Sequence, residues 1–99
     1  MESRIEDLYV GKDFYARGEY AGGILFFHCE LYQHDKATIK KIRKAIQETV
    51  AQAKEMGYDK PVFSYVEQGP KCKLSRLAGG TLCNTFEADG KTYEVYSWA

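Results

Sequence analysis

The sequence has little of several features that would narrow its class at once. Three cysteines occur among 99 residues, and none forms a CxxC pair. Cys29, Cys72 and Cys83 are the wrong number and spacing for a disulfide framework and are typical of a reducing compartment. The longest apolar run, Ala21 to Phe27, is too short to span a membrane, and the polar start MESRIEDL does not fit a signal peptide. We therefore expect a cytoplasmic protein with no membrane partner.

An excess of charge of either sign is also absent. Fourteen basic residues balance fourteen acidic ones, so no overall field attracts the chain to nucleic acid or to an anionic membrane. A chain of this length is expected to form one domain, residues 1–99. Any binding of an anion must then come from a local cluster of basic residues.

A metal site would have to draw on His28, Cys29 and His34. Neighbouring residues of a strand point to opposite faces, which argues against His28 and Cys29 sharing a metal ion. We expect no metal.

The pattern of apolar residues predicts six strands and two helices. Asp35 is the predicted N-cap of a long helix, Gly57 ends it, and the Asp89-Gly90 pair predicts a closing hairpin. The predicted elements are strands over Ile5–Val10, Phe14–Tyr20 and Ile24–Tyr32, a helix over Lys36–Met56, a strand over Val62–Val66, a short helix from Pro70 to Gly79, and strands over Thr81–Glu87 and Thr92–Trp98. The order β-β-β-α-β-α-β-β predicts an α+β fold with a mixed, mainly antiparallel sheet.

That order, with the stretch GYDKPVFSYV and a short helix ending LAGG, resembles the C-terminal two-thirds of the GNAT family of N-acetyltransferases. The resemblance covers roughly residues 5 to 98, and small GNAT-like proteins of bacteriophages are the most similar in character. It implies a small phage accessory or host-modulating protein, which would act in the host cytoplasm.

The turn before the long helix departs from the family pattern. GNAT enzymes have a glycine-rich turn there, and its backbone N–H groups hold the pyrophosphate of coenzyme A at the helix N-terminus. The corresponding stretch here has no glycine, and Asp35 puts a carboxylate where the phosphates would lie. We therefore expect no acetyl-CoA. If a coenzyme does bind, the candidate residues are Gln33, His34, Lys36, Ala37 and Thr38.

The short helix also lacks the tyrosine that serves many GNAT enzymes as general acid. Ser75 stands at that position, and its hydroxyl is too weakly acidic for the role. Cys72 lies between Lys71 and Lys73 near the helix start, which favours a thiolate, but no histidine is near it in sequence to act as base. Cys72 and Ser75 are therefore weak catalytic candidates, and we expect the fold without the enzyme.

Two surfaces are predicted for a partner. The first half of the long helix is basic, with Lys36, Lys40, Lys41, Arg43 and Lys44; these residues form either a solvated surface or an anion site, best suited to an acidic protein. The second is aromatic: if Tyr93, Val95, Leu82 and Phe86 face inward, Tyr96 and Trp98 face outward and lie at an interface.

These observations favour a non-catalytic GNAT-like protein that binds a protein partner or forms a homodimer. Two alternatives stay open. One is an acyl-CoA-dependent N-acetyltransferase with a divergent pyrophosphate turn. The weaker one is a nucleic-acid-binding module that uses the lysine-rich helix, which the neutral net charge disfavours.

Overall fold

The computed structural model describes residues 4–99 and has the predicted α+β fold in the predicted element order. Six strands form one sheet, and two helices interrupt them. The elements are β1 (Arg4–Val10), β2 (Phe14–Ala21), β3 (Ile24–Leu31), α1 (Lys36–Glu55), β4 (Val62–Glu67), α2 (Lys71–Leu77), β5 (Thr81–Ala88) and β6 (Lys91–Trp98).

The strands lie in the order β1-β2-β3-β4-β6-β5. Every neighbouring pair is antiparallel except β3 and β4, which are parallel and are joined through α1. A parallel connection needs a crossover of this kind, and a helix is its usual form. The sheet is therefore mixed and mainly antiparallel, as predicted.

Helix α1 packs against the sheet through an apolar stripe at three- and four-residue spacing. Ile42, Ile46 and Ala53 are buried, which is the pattern of an amphipathic helix on a core. The carboxylate of Asp35 accepts a hydrogen bond from the Thr38 amide at 2.8 Å, so Asp35 is the N-cap of α1, as predicted. Gly57, at φ +90°, follows the helix C-terminus.

Both helices lie on the same face of the sheet. Their buried residues belong to one cluster with alternate residues of the strands: Phe14, Ala16, Phe27, Ile42, Ile46, Ala53, Tyr58, Val62, Cys72, Ala78, Tyr96 and Trp98. We call the opposite surface of the sheet the open face, because no helix of residues 4–99 packs on it.

The predicted closing hairpin is present. Asp89 and Gly90 both have positive φ, at +54° and +74°, which is the conformation of the tight turn that Asp-Gly favours between antiparallel strands. The strands that it joins, β5 and β6, pair from Ala88↔Lys91 to Thr81↔Ser97.

The predicted faces of Tyr93, Val95, Phe86, Tyr96 and Trp98 are wrong, whereas Leu82, opposite Tyr96, faces the helix side as predicted. Tyr96 is fully buried and Trp98 is 9% exposed, so both lie in the core beneath the helices and not at an outer surface. Tyr93 and Phe86 pair on the open face. A register shift between Leu82 and Asn84 puts an extra residue into β5. Leu82 and Phe86 therefore lie on opposite faces, although their spacing along a regular strand would put them on the same one.

Trp98 is held in the core by a specific contact. Its indole Nε1 donates a hydrogen bond to the Ala78 carbonyl at 3.1 Å, and its ring lies directly over Gly80. A Cβ at Gly80 would lie 2.7 Å from Trp98 Cζ2. Close packing against Trp98 therefore requires a glycine at position 80, and Trp98 is a core residue.

Candidate functional site

Aromatic side chains from four adjacent strands meet on the open face. β3, β4, β6 and β5 each place alternate residues on this side of the sheet. We call the group the ring cluster; its members are Phe26, His28, Phe63, Tyr65, Phe86 and Tyr93.

Tyr65 is the centre of the ring cluster. Its ring centroid lies between 5.2 and 6.3 Å from those of Phe26, His28, Phe86 and Tyr93, in every case with the rings nearly perpendicular. Edge-to-face pairs of this kind are favourable beyond the area they bury. At one side, Phe86 and Tyr93 stack at 5.1 Å with an interplanar angle of 11°. The rings form one continuous surface.

The ring cluster is partly open to solvent. Tyr65 is 38% exposed and Phe86 is 39% exposed, while Phe26, His28, Phe63 and Tyr93 are half-buried. Contiguous aromatic surface with a polar surround is typical of a binding site.

The charged residues of the open face are mainly acidic. Within residues 4–99, strand register puts four carboxylates on this face, from Asp7, Glu19, Glu30 and Glu67, against two cations, Arg17 and Lys91. The Glu19 carboxylate lies 3.0 Å from His28 Nε2, and Asp7 accepts a hydrogen bond from the Tyr15 hydroxyl. Lys91 Nζ lies 3.9 Å from Glu67, and both side chains are more than half exposed.

A cleft opens where β3 and β4 diverge. The two parallel strands pair only at Phe26↔Phe63, and beyond that point they border a cavity of about 490 Å³. Apolar residues of α1 and the core line the cleft together with polar groups, among them Arg17, His34, Lys71 and Ser75. His28 and Tyr65 of the ring cluster also border it. Burial raises the pKa of the Cys29 thiol, also on the wall, to about 12.

The residues predicted to hold a coenzyme are not gathered at this cleft. Of Gln33, His34, Lys36, Ala37 and Thr38, only His34 is on its wall. Asp35 is engaged in capping α1, and the hydrogen bond from the Thr38 amide holds the pKa of its carboxyl below the usual value. The negative charge at the start of α1 is therefore built into the fold.

The predicted basic cluster is divided in the structure. Lys41 Nζ lies 2.8 Å from the Asp13 carboxylate, so Lys41 is paired within the chain. Arg43 lies against Gly79 at the end of α2. Lys36, Lys40 and Lys44 are exposed and four residues apart, so they share one side of α1. We call these three lysines the basic stripe.

The two weak catalytic candidates do not come together. Ser75 lines the cleft, but Cys72 is buried, with its Sγ 3.7 Å from the Glu67 carbonyl. Near Cys72, the Tyr96 hydroxyl donates a hydrogen bond to the buried Glu94 carboxylate at 2.7 Å and lowers its pKa. Burial, reinforced by Glu94, raises the pKa of Tyr96 to about 12. Arg76 of α2 also lies 3.5 Å from the Glu94 carboxylate, so this network links α2 to β6.

His28 and Cys29 lie on opposite faces of β3, as their adjacency predicts. Within residues 4–99, no three His, Cys, Asp or Glu side chains are grouped so that they could hold a metal ion. In the same part of the chain, neither helix is long and apolar enough to cross a bilayer.

Most of the ring cluster was not predicted from the sequence. One face of β3 carries both aromatic and polar residues, among them Phe26 and His28, and this pattern indicated a partly exposed aromatic surface. Phe63 and Tyr65 alternate in the same way along β4. What the pattern lacked was the strand order, which brings β3, β4, β6 and β5 side by side.

Comparison with protein-family models, with curated proteins and with solved structures found no match.

Proposed function

We propose that this protein is a non-catalytic binding protein that engages another protein through the open face of its sheet. The observation that carries the proposal is the ring cluster, in which Tyr65 and Phe86 are more than a third exposed. Tyrosine and phenylalanine are enriched at protein interfaces, where partly exposed rings become fully buried. The contact lies on the face opposite α1 and α2.

The size and shape of the open face suit a protein partner. Six strands of about eight residues give a surface of roughly 29 by 26 Å, from strand spacing and rise. That is about 750 Å², close to the roughly 800 Å² that each partner contributes to a standard interface. A small molecule would be held in a concave pocket. Of the ring cluster, only His28 and Tyr65 border the cleft, and the other four rings are spread over the sheet surface.

The separation of the two charged surfaces disfavours nucleic acid. Single-stranded nucleic acid is bound by aromatic rings that lie within a positively charged groove. Here the rings lie among carboxylates, and the basic stripe is on a helix at the other side of the sheet. The aromatic rings and the basic residues therefore lie on opposite sides of the sheet and cannot form one nucleic-acid-binding groove.

The resemblance to GNAT proteins is consistent with a binding role. Ser75 in place of the acidic tyrosine, the buried thiol of Cys72 and the carboxylate of Asp35 at the start of α1 all argue against acetyl transfer. A small phage-type accessory or host-modulating protein is the setting that the resemblance suggests.

A second candidate function is acyl-CoA-dependent N-acetyl transfer, and the cleft between β3 and β4 favours it. Its volume of about 490 Å³ would accept the acetyl group and the extended arm of the coenzyme that carries it. Titration calorimetry with acetyl-CoA at about 0.1 mM distinguishes the two, since an interaction of about −5.5 kcal/mol would begin to register there. We expect no heat of binding. Micromolar affinity would favour the acetyltransferase instead.

Site-directed photo-cross-linking tests the binding proposal. Benzoylphenylalanine would replace Tyr65 or Phe86 on the open face, and matched controls would replace the exposed α1 residues Lys40 or Gln47. In the cells that make the protein, we expect a discrete protein adduct from the open-face positions and none from the helix positions. Adducts from α1 alone would place the contact on the helix, and an absence of adducts from all four positions would refute the proposal.

A further inference from the structure

Three of the four carboxylates that the open face carries within residues 4–99 are placed opposite aromatic residues. Glu67 pairs across the strands with Tyr93 and is two residues from Tyr65 on the same face. Glu30 pairs with Tyr15, and Glu19 pairs with Phe26. Each of these three acids therefore has an aromatic residue as a cross-strand partner.

This combination is suited to basic side chains. A guanidinium or ammonium group is attracted to the face of an aromatic ring, and a neighbouring carboxylate adds charge pairing. Arginine uses both modes, because its planar group stacks on rings while its N–H groups bind carboxylate oxygens. Phosphate or an acidic peptide would meet an acidic excess on this face, four carboxylates against two cations in the part of the chain that the structure describes.

We propose that the open face binds an arginine- or lysine-bearing segment of a protein partner. This inference rests on the proposed function and deepens it by giving the partner's chemistry. The exposed rings of Tyr65 and Phe86 contact the stems and cationic groups of the segment, and Glu30 and Glu67 pair with its charges. A second copy of the chain fits less well, because two faces that each carry an excess of acids would be brought together.

The proposal can be tested with synthetic probes by NMR. The first probe is a blocked peptide of alternating arginine and alanine, and the matched control has glutamate in place of arginine. Amide shifts and dissociation constants would be measured at about 0.01 M and about 0.15 M salt, between which the Debye length falls from about 30 Å to about 8 Å. We expect the arginine peptide to shift amides of β3, β4, β5 and β6, and its affinity to fall as salt is added. The glutamate peptide should leave these amides unchanged.

Paired variants separate the local charges from the net charge. Glu30→Gln with Glu67→Gln removes two charges from the open face, and Glu48→Gln with Glu55→Gln removes two from the exposed side of α1. We expect the first pair of substitutions to lower the affinity for the arginine peptide by about threefold, as is typical of the loss of two solvent-exposed charges. The second pair should leave its affinity unchanged.

Several outcomes would overturn the inference: equal effects of the two pairs, shifts confined to α1, or equal binding of the glutamate peptide. Photo-cross-linking to a second copy, or to a partner without a basic segment, would leave the open face as the contact but refute the basic partner. Binding of the arginine peptide together with a complete absence of cross-links would refute the proposed function and keep the chemistry.

Discussion

At the residue scale, Asp13 joins three parts of the chain. Its carboxylate accepts hydrogen bonds from the Tyr9 hydroxyl and the Phe14 amide, both at 3.0 Å, and from Lys41 of α1 at 2.8 Å. Its backbone carbonyl accepts from the amides of residues 32 and 33, just before α1. Asp13 therefore ties the β1–β2 turn to the start of the helix.

Asp13→Asn should change how stability depends on pH. The hydrogen bond from Lys41 is the main cause that lowers the Asp13 pKa below 3.8 in the folded protein. A carboxyl whose pKa is lower in the folded than in the unfolded protein stabilises the fold at pH values above the unfolded pKa. That stabilisation is lost as the pH falls through the folded pKa. We expect wild type to exceed the variant in free energy of unfolding near pH 7, with the difference shrinking below about pH 3.9.

Denaturant unfolding of both proteins between pH 2 and pH 7 would measure this difference. Asp59→Asn is the matched control, because Asp59 is exposed and its side chain has no hydrogen-bond partner among residues 4–99. A difference between wild type and Asp13→Asn that stayed constant over the whole pH range would contradict the assigned role of Asp13.

Gly80→Ala tests the packing of Trp98. The added Cβ would meet Trp98 Cζ2 at 2.7 Å and the Ser75 carbonyl at 2.9 Å, so we expect a loss of about 1–3 kcal/mol in thermal or denaturant unfolding. Gly18→Ala is the control. Its Cβ would meet Leu8 at 3.5 Å, an ordinary contact, and removing a strand glycine should raise stability by about 0.5 kcal/mol. Equal effects of both changes would mean that Trp98 does not press on Gly80.

At the element scale, helix α1 carries charges that oppose its dipole. No acidic residue lies in its first turn, where Lys36 is the first residue, and the basic stripe extends from there. A helix N-terminus favours negative charge by a few tenths of a kcal/mol per residue. The carboxylate of Asp35 offsets part of this mismatch from the N-cap position.

Lys36→Glu should therefore stabilise the protein. We expect the free energy of unfolding to rise by about 0.3–1 kcal/mol at low salt and the gain to shrink as salt is added. Lys44→Glu makes the same charge change beyond the first turn and should have a smaller effect, because the dipole acts mainly at the helix end. A larger gain from Lys44→Glu would show that general charge balance, and not the helix dipole, determines the change in the free energy of unfolding.

Elements whose signals are local could be predicted from the sequence. The stripe of Ile42 and Ile46, the Asp35 cap and the Asp89-Gly90 turn each depend on residues close together in the chain, and each is present. The faces of β5 depend instead on the extra residue between Leu82 and Asn84, which no local pattern marked. The ring cluster depends on strand order, so its members could not be grouped beforehand.

At the scale of the whole molecule, the two surfaces that could meet a partner are on opposite sides of the sheet. The basic stripe lies on α1, which packs on one face, and the ring cluster lies with its carboxylates on the other. Exposed rings in contact with one another cost free energy in water unless something covers them. The open face is therefore the surface on which a partner gains most by burying aromatic area.

Native mass spectrometry of the protein isolated from the cells that make it tests this claim most directly. We expect wild type to carry a protein partner in addition to its own 11.3 kDa. The open-face variant with Tyr65→Ser and Phe86→Ser should be found at the mass of the chain alone, and its circular dichroism should match wild type. The variant with glutamine at Lys36, Lys40 and Lys44 should keep the partner. The account would be contradicted if wild type were found at the mass of the chain alone or with only a coenzyme added. It would also be contradicted if the lysine variant lost the partner and the open-face variant kept it.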